Sequence, residues 1–229
     1  MHPVASTPTE FEYTIQQQGA SVNTTYYFRL FDNNHNRPVP LGAGASYPSL
    51  STDGATLSLM VGALSAGVTT GGITTDVVTT PTSIPFGTIP IGSTGVKAAQ
   101  RFTVSTNATQ GYSMFVKSSA PLLSQYATSV PDVVGTNASP LAWATSCLSS
   151  ASGCWGYHTN DASLSGGSTR FIIDDTYAKF ATTTQEEVLY NAGPVNNDVN
   201  DIIYRVEAHQ LLSAGAYTTA LVYILVPIF

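Results

Sequence analysis

The residues best equipped for chemistry in this 229-residue chain are its carboxylates. Doublets stand at Asp174-Asp175 and Glu186-Glu187, and Asp161 closely follows Trp155 and Tyr157. Glycoside hydrolysis needs two carboxyl groups facing each other across a cleft, about 5 to 9.5 Å apart. Adjacent strand residues point to opposite faces, so neither doublet is itself such a pair. Asp174-Asp175 also follows a strand-like run, where Asp favours a turn. A solvated turn is the expectation there, and a glycoside hydrolase ranks last among the functions considered. The chain has no Gly-x-Ser-x-Gly elbow and no glycine fingerprint for phosphate or dinucleotide. It is not expected to be an enzyme.

Metal chemistry fares similarly. Asn196-Asn197-Asp198-Val199-Asn200-Asp201 carries enough oxygens for calcium, but its spacing matches no EF-hand, and Gly193-Pro194 before it suggests a β-turn. The histidines His2, His35, His158 and His209 are isolated in sequence. Cys147 and Cys154 enclose a Ser/Gly-rich loop that lets them approach to disulfide distance. A zinc site would need two more ligands of the same kind, and one nearby histidine does not complete a tetrahedron. A disulfide is therefore expected, which implies an oxidising, extracytoplasmic setting. No metal site and no cofactor are expected.

Trp143, Trp155 and Tyr157 lie in or beside the disulfide loop. Exposed aromatics on a rigid loop can stack on sugar rings. The alternative is that Trp155-Gly156-Tyr157 opens a strand and plugs the end of the core. Asn23-Thr24-Thr25, Asn107-Ala108-Thr109 and Asn137-Ala138-Ser139 match the glycosylation sequon, a frequent chance match in a chain rich in Asn and Thr.

Charged residues make up 10% of the chain, against about 25% in an ordinary soluble domain. A surface of Thr, Ser, Gly and Asn lacks the usual electrostatic protection against association. The formal charge of −6, with its few cations scattered singly, argues against nucleic acid and anionic membrane as partners. No run of about 20 apolar residues qualifies as a membrane-spanning helix, so no membrane insertion is expected. The first eight residues have neither a cationic end nor an apolar run, so no signal peptide is expected within the chain.

Helical periodicity is almost absent, and β-type runs recur between turn signals. Roughly ten short strands read as an all-β chain, a β-sandwich or jelly roll. Residues 1–18 form an N-terminal extension in which Phe11, Tyr13 and Ile15 alternate on one face, joined through Gly19-Ala20-Ser21 to a single domain over 19–229. A seam is placed near Thr75. Ser83 to Ile89 reads as an edge strand or a crossover, because its proline excludes a central ladder position. Arg101 to Thr106 and Tyr112 to Lys117 form a hairpin candidate, and Arg170 to Ile173 a strand. Residues 118–168 read as a long irregular region containing the disulfide. The chain closes on Leu221 to Phe229, where Leu221, Tyr223 and Leu225 lie on one face and Val222, Ile224 and Val226 on the other. With both faces apolar, this strand is either central under two layers or meets another subunit.

Thr75 to Ile89, containing Pro85-Phe86-Gly87-Thr88, resembles a run in secreted surface proteins of candidate-phyla (Patescibacteria-type) bacteria. So do Val104 to Tyr112 and the ending from Ala214 to Phe229. The likeness covers roughly residues 55–229 and implies a β architecture and a surface location rather than a reaction. The closing strand is also similar in pattern to fimbrial, spore-coat-like and TasA-like filament subunits, in which one subunit donates a strand to the next. That resemblance implies a structural subunit of an extracellular filament, pilus or surface layer, with copies of itself as partners. Phe11, Tyr13 and Ile15 would be donated, and Leu221, Tyr223 and Leu225 would receive. The first strand staying in its own sheet is the competing reading. The alternative function is a surface adhesin that binds cell-surface glycans through the aromatics at 143, 155 and 157.

Overall fold

The computed structural model describes residues 2–3, 11–12, 24–27, 49–52, 56–147, 150–165 and 170–229. The chain divides into two compact units, Met1–Thr56 and Leu57–Phe229. In the first, His2–Pro3 pairs antiparallel with Phe11–Glu12, and Thr24–Tyr27 with Ser49–Thr52. Tyr13, Ile15 and Asn23 lie outside the described residues.

The second unit is built on seven principal strands: β1 (Leu57–Ala63), β2 (Val96–Thr106), β3 (Tyr112–Ser118), β4 (Gly153–Thr159), β5 (Glu186–Asn191), β6 (Val195–Ala208) and β7 (Leu221–Pro227). The one described helix, α1 (Trp143–Cys147), is a short turn leading into the disulfide loop. Two antiparallel sheets result, one ordered β4-β6-β2-β1 and the other β5-β3-β7. The chain is thus all-β.

Alternation explains how the sheets meet. Phe102 and Val104 of β2 and Ile202, Tyr204 and Val206 of β6 share one buried cluster with Tyr112, Met114 and Val116 of β3 and Val188 and Leu189 of β5. Strands β2, β3 and β6 send alternate residues inward, as the period of two requires, while a bulge in β5 turns both Val188 and Leu189 into the core. Ala99 and Ile203 point the other way, into a second cluster with Trp143, Cys147, Cys154 and Tyr177. Strands β2 and β6 are therefore covered on both faces where Ala98, Ala99, Ile202 and Ile203 stand, all fully buried.

Four expectations need correction. The hairpin does not form: β2 pairs with β6 and β1, whereas β3 pairs with β5 and β7. The intervening turn carries the chain from one sheet to the other. It needs Gly111, whose φ is +75° and whose added Cβ would sit 1.9 Å from the Asn191 carbonyl oxygen. The 118–168 region is not irregular throughout, because it contains β4, buried along its whole length. Arg170 to Ile173 is a turn, with Phe171 at φ 58° and Asp175 at 57°, and Ile172 and Ile173 are exposed. The last strand is neither central nor covered on both sides. It ends its sheet, with Val222 and Val226 exposed.

Candidate functional site

The two sheets differ in width by one strand, and the difference falls on one side. Strand β4 lies against β5, where Thr159 Oγ1 donates to the Val188 carbonyl at 2.8 Å. At β6 and β3, the Tyr112 hydroxyl donates to Asp198 at 2.6 Å. Strand β2 lies against β7, with the Phe102 and Tyr223 rings 4.9 Å apart. Tyr204 and Tyr223 also share a hydrogen bond between their hydroxyls. Burial pushes both phenols upward, so the pair stays neutral.

Strand β1 has no counterpart among the described residues. Leu57, Leu59 and Val61 pair with Thr106, Val104 and Phe102, and so share their inward face. Phe102 and Val104 are fully buried, yet Leu57 and Leu59 remain 37% and 38% exposed. Those leucines are the floor of a seat one strand wide.

One wall of the seat is the edge of β7, which pairs with no further strand among the described residues. The Ala220 carbonyl accepts from the Ser119 amide, and Ile228 exchanges bonds with the Gln110–Gly111 turn. In an antiparallel ladder the bonded residues alternate. The even-numbered residues of β7 therefore bond to β3, while Leu221, Tyr223 and Leu225 aim their N–H and C=O groups outward. The edges at β4 and β5 are closed, while β1 ends its own sheet. Residues 131–133 and Ala178 bond along β4. The Asn137, Thr159 and Ser163 side chains occupy the Glu187, Val188 and Tyr190 carbonyls of β5, and Asp161 accepts the Tyr190 N–H. A row of unpaired backbone groups beside an uncovered apolar floor can add a strand.

Two apolar cavities lie near the start of β7. In the connection between β1 and β2, neighbours in one sheet, Ile84, Phe86 and Ile89 pack on the core. Between this connection and β7 lies a cavity of about 570 Å³, lined by Pro81, Ile84, Leu122, Leu221 and Tyr223 among others. A neighbouring cavity of about 700 Å³ is lined by Phe86, Ile89, Val206, Leu212 and Tyr217 among others. Neither lining contains a charged side chain.

The site residues expected from sequence fall as follows. Leu221, Tyr223 and Leu225 pack their side chains into their own core and leave only backbone for a neighbour. Cys147 and Cys154 are disulfide-bonded, with Cα atoms 5.7 Å apart. The aromatic trio does not form a sugar platform, because the core claims every ring face. Trp155 stacks on Phe180 at 4.5 Å, Tyr157 is fully buried, and Trp143 packs edge-on against Tyr177 with the Arg205 guanidinium 4.4 Å from its ring. Asn107 is exposed. Asn137 is no glycan acceptor in the folded chain: it is buried, and its Nδ2 donates to the Tyr157 hydroxyl at 2.8 Å and the Glu187 carbonyl at 2.7 Å.

The polar residues weighed for chemistry serve the fold. Glu187 pairs with Arg170 at 2.5 Å. Asp175 binds Arg205, and Asp161 accepts from the Ser163 and Tyr190 amides. The stretch weighed for calcium is the bulged start of β6, where Asp198 faces Tyr112 and Asp201 takes a two-pronged contact from Arg101. Its oxygens already serve separate partners. What sequence reading missed is a convergence near the disulfide: one ligand atom each from Cys147, Glu207 and His209 lies within 4.8 Å of the others. The Glu-x-His spacing at 207–209 was the available signal. No protein-family model, no curated protein and no solved structure matches this chain.

Proposed function

We propose that this protein is a β-sandwich subunit of an extracellular filament, pilus or surface layer, and that it assembles by adding a strand from one copy to the seat of the next. One observation carries the reading: the inward face of β1 stays partly exposed at Leu57 and Leu59, where the opposing sheet stops, beside the outward backbone of Leu221, Tyr223 and Leu225. The disulfide and the low charge support a secreted, association-prone chain.

The donated segment in this proposal is Thr7 to Gln18 of a second copy. Its Phe11, Tyr13 and Ile15 repeat every second residue, as do the three outward positions of β7. Phe11–Glu12 is held by a two-residue pairing with His2–Pro3, a contact too short to be stable by itself. Exchange for the longer β7 edge therefore gains backbone bonds and covers Leu57 and Leu59.

Replacing Phe11, Tyr13 and Ile15 together by Ser tests this in the full chain. Light scattering and negative-stain microscopy should show that the wild type forms polymers and the variant stays dispersed. Equal assembly by both would overturn the proposal.

A further inference from the structure

The residues around the disulfide hold a second, latent chemistry. Cys154 stands directly opposite Glu207 in the β4–β6 ladder, and Cys147 ends α1 above it. His209 follows two residues after Glu207, and its Nε2 lies 2.8 Å from Glu207 Oε1. One ligand atom each from Cys147, Glu207 and His209 lies within 4.8 Å of the others, and Cys154, bonded to Cys147, supplies a second sulfur beside them. That is a complete tetrahedral set for zinc.

Groups outside the cluster already orient these donors. The Ser150 carbonyl lies 2.6 Å from His209 Nδ1 and can only accept, so Nδ1 carries a proton and Nε2 faces the cluster, where it donates to Glu207 Oε1. The second oxygen of Glu207 accepts the Trp143 indole N–H at 2.5 Å, which leaves Oε1 facing His209. Trp143 is fixed in turn by Tyr177 and Arg205. Carbonyl-on-imidazole and donor-on-carboxylate contacts are the outer partners that tune zinc ligands. His209 and Glu207 remain partly accessible, at 28% and 15%, which gives an ion a way in.

We propose that two-electron reduction of the Cys147–Cys154 disulfide converts this cluster into a zinc site made of Cys147, Cys154, Glu207 and His209. A dithiol reductant supplies two electrons and two protons, becoming a disulfide itself, and the two sulfurs become thiols. Zn²⁺ then displaces both thiol protons and the His209 Nε2 proton, all three passing to solvent, and binds two thiolates, His209 Nε2 and Glu207 Oε1. Thiolate and imidazole donors select zinc over calcium or magnesium. The metal replaces the covalent tie between α1 and β4, so the fold keeps a cross-link in either redox state.

Titration of the reduced full-length chain with Co²⁺, under anaerobic conditions, tests the proposal. One equivalent should bind with thiolate-to-cobalt charge-transfer absorption and tetrahedral ligand-field bands, and Zn²⁺ should displace it. The oxidised chain should show neither band. His209→Ala and Glu207→Gln should each weaken binding at least tenfold while leaving the oxidised circular dichroism unchanged. If reduction unfolds the chain, added zinc should restore its near-ultraviolet dichroism. Absence of cobalt binding, absence of that recovery in an unfolded sample, or full affinity in His209→Ala would each overturn the assignment.

Discussion

Leu57 and Leu59 offer a quantitative handle on strand addition. Fully burying a leucine side chain is worth about 1.5 to 3 kcal/mol. The exposed fractions of 37% and 38% are what an incoming strand would still cover. Each leucine then contributes about 0.6 to 1.1 kcal/mol to association. Replacing both by Ser should cost about 1 to 2 kcal/mol of assembly free energy, a dissociation constant raised about 5- to 30-fold. Met60, on the opposite face of β1 and 63% exposed, supplies the control, and Met60→Ser should leave assembly unchanged. Sedimentation velocity over a concentration series gives the constants, read well below the melting temperature because the leucines also support the monomer. A double variant that assembles within twofold of wild type would refute the reasoning. So would an equal loss in Met60→Ser.

Three further outcomes follow from the core. Asn137→Ala breaks bonds to Tyr157, the Glu187 carbonyl and Arg170, and should cost about 3 kcal/mol and lower Tm by about 6 to 12 °C. Calorimetry checks this, and a loss below 1 kcal/mol would contradict the burial argument. Reducing the disulfide, which joins residues seven apart, should cost about 2.5 kcal/mol in zinc-free buffer, measurable by urea unfolding with and without a reductant. His158 is buried with its Nε2 unpartnered, and desolvation lowers its pKa below the usual histidine value. The unfolded chain therefore binds more protons, so His158 contributes stability that is present above about pH 6.5 and lost as pH falls toward its folded value. Urea titrations from pH 7.5 downward should show a steeper acid loss in wild type than in His158→Gln, and parallel curves would count against that assignment.

Much of the fold was legible because alternation is a local signal. Phe102 and Val104, Tyr112 to Val116, Ile202 to Val206 and the closing strand all declare themselves by period. Pairing does not, since the turn at Asn107–Gly111 looks like a hairpin until the partners of both strands are known. Strand β4 hid because its residues are buried on both faces and its start lies in a Ser/Gly-rich stretch. The same tertiary burial removed Trp143, Trp155 and Tyr157 from any surface role. The disulfide was readable from spacing alone. The bare floor at Leu57 and Leu59 was not, because an exposed inward face becomes visible only when the opposite sheet is counted.

Amide hydrogen exchange along β7 tests the central claim most directly. The Val222, Ile224 and Val226 amides bond to β3 and should be slow in every state. The Leu221, Tyr223 and Leu225 amides point outward, and should exchange quickly in dilute monomer and become protected as the chain assembles. Outward amides that stay unprotected in assembled material would contradict strand addition at this edge.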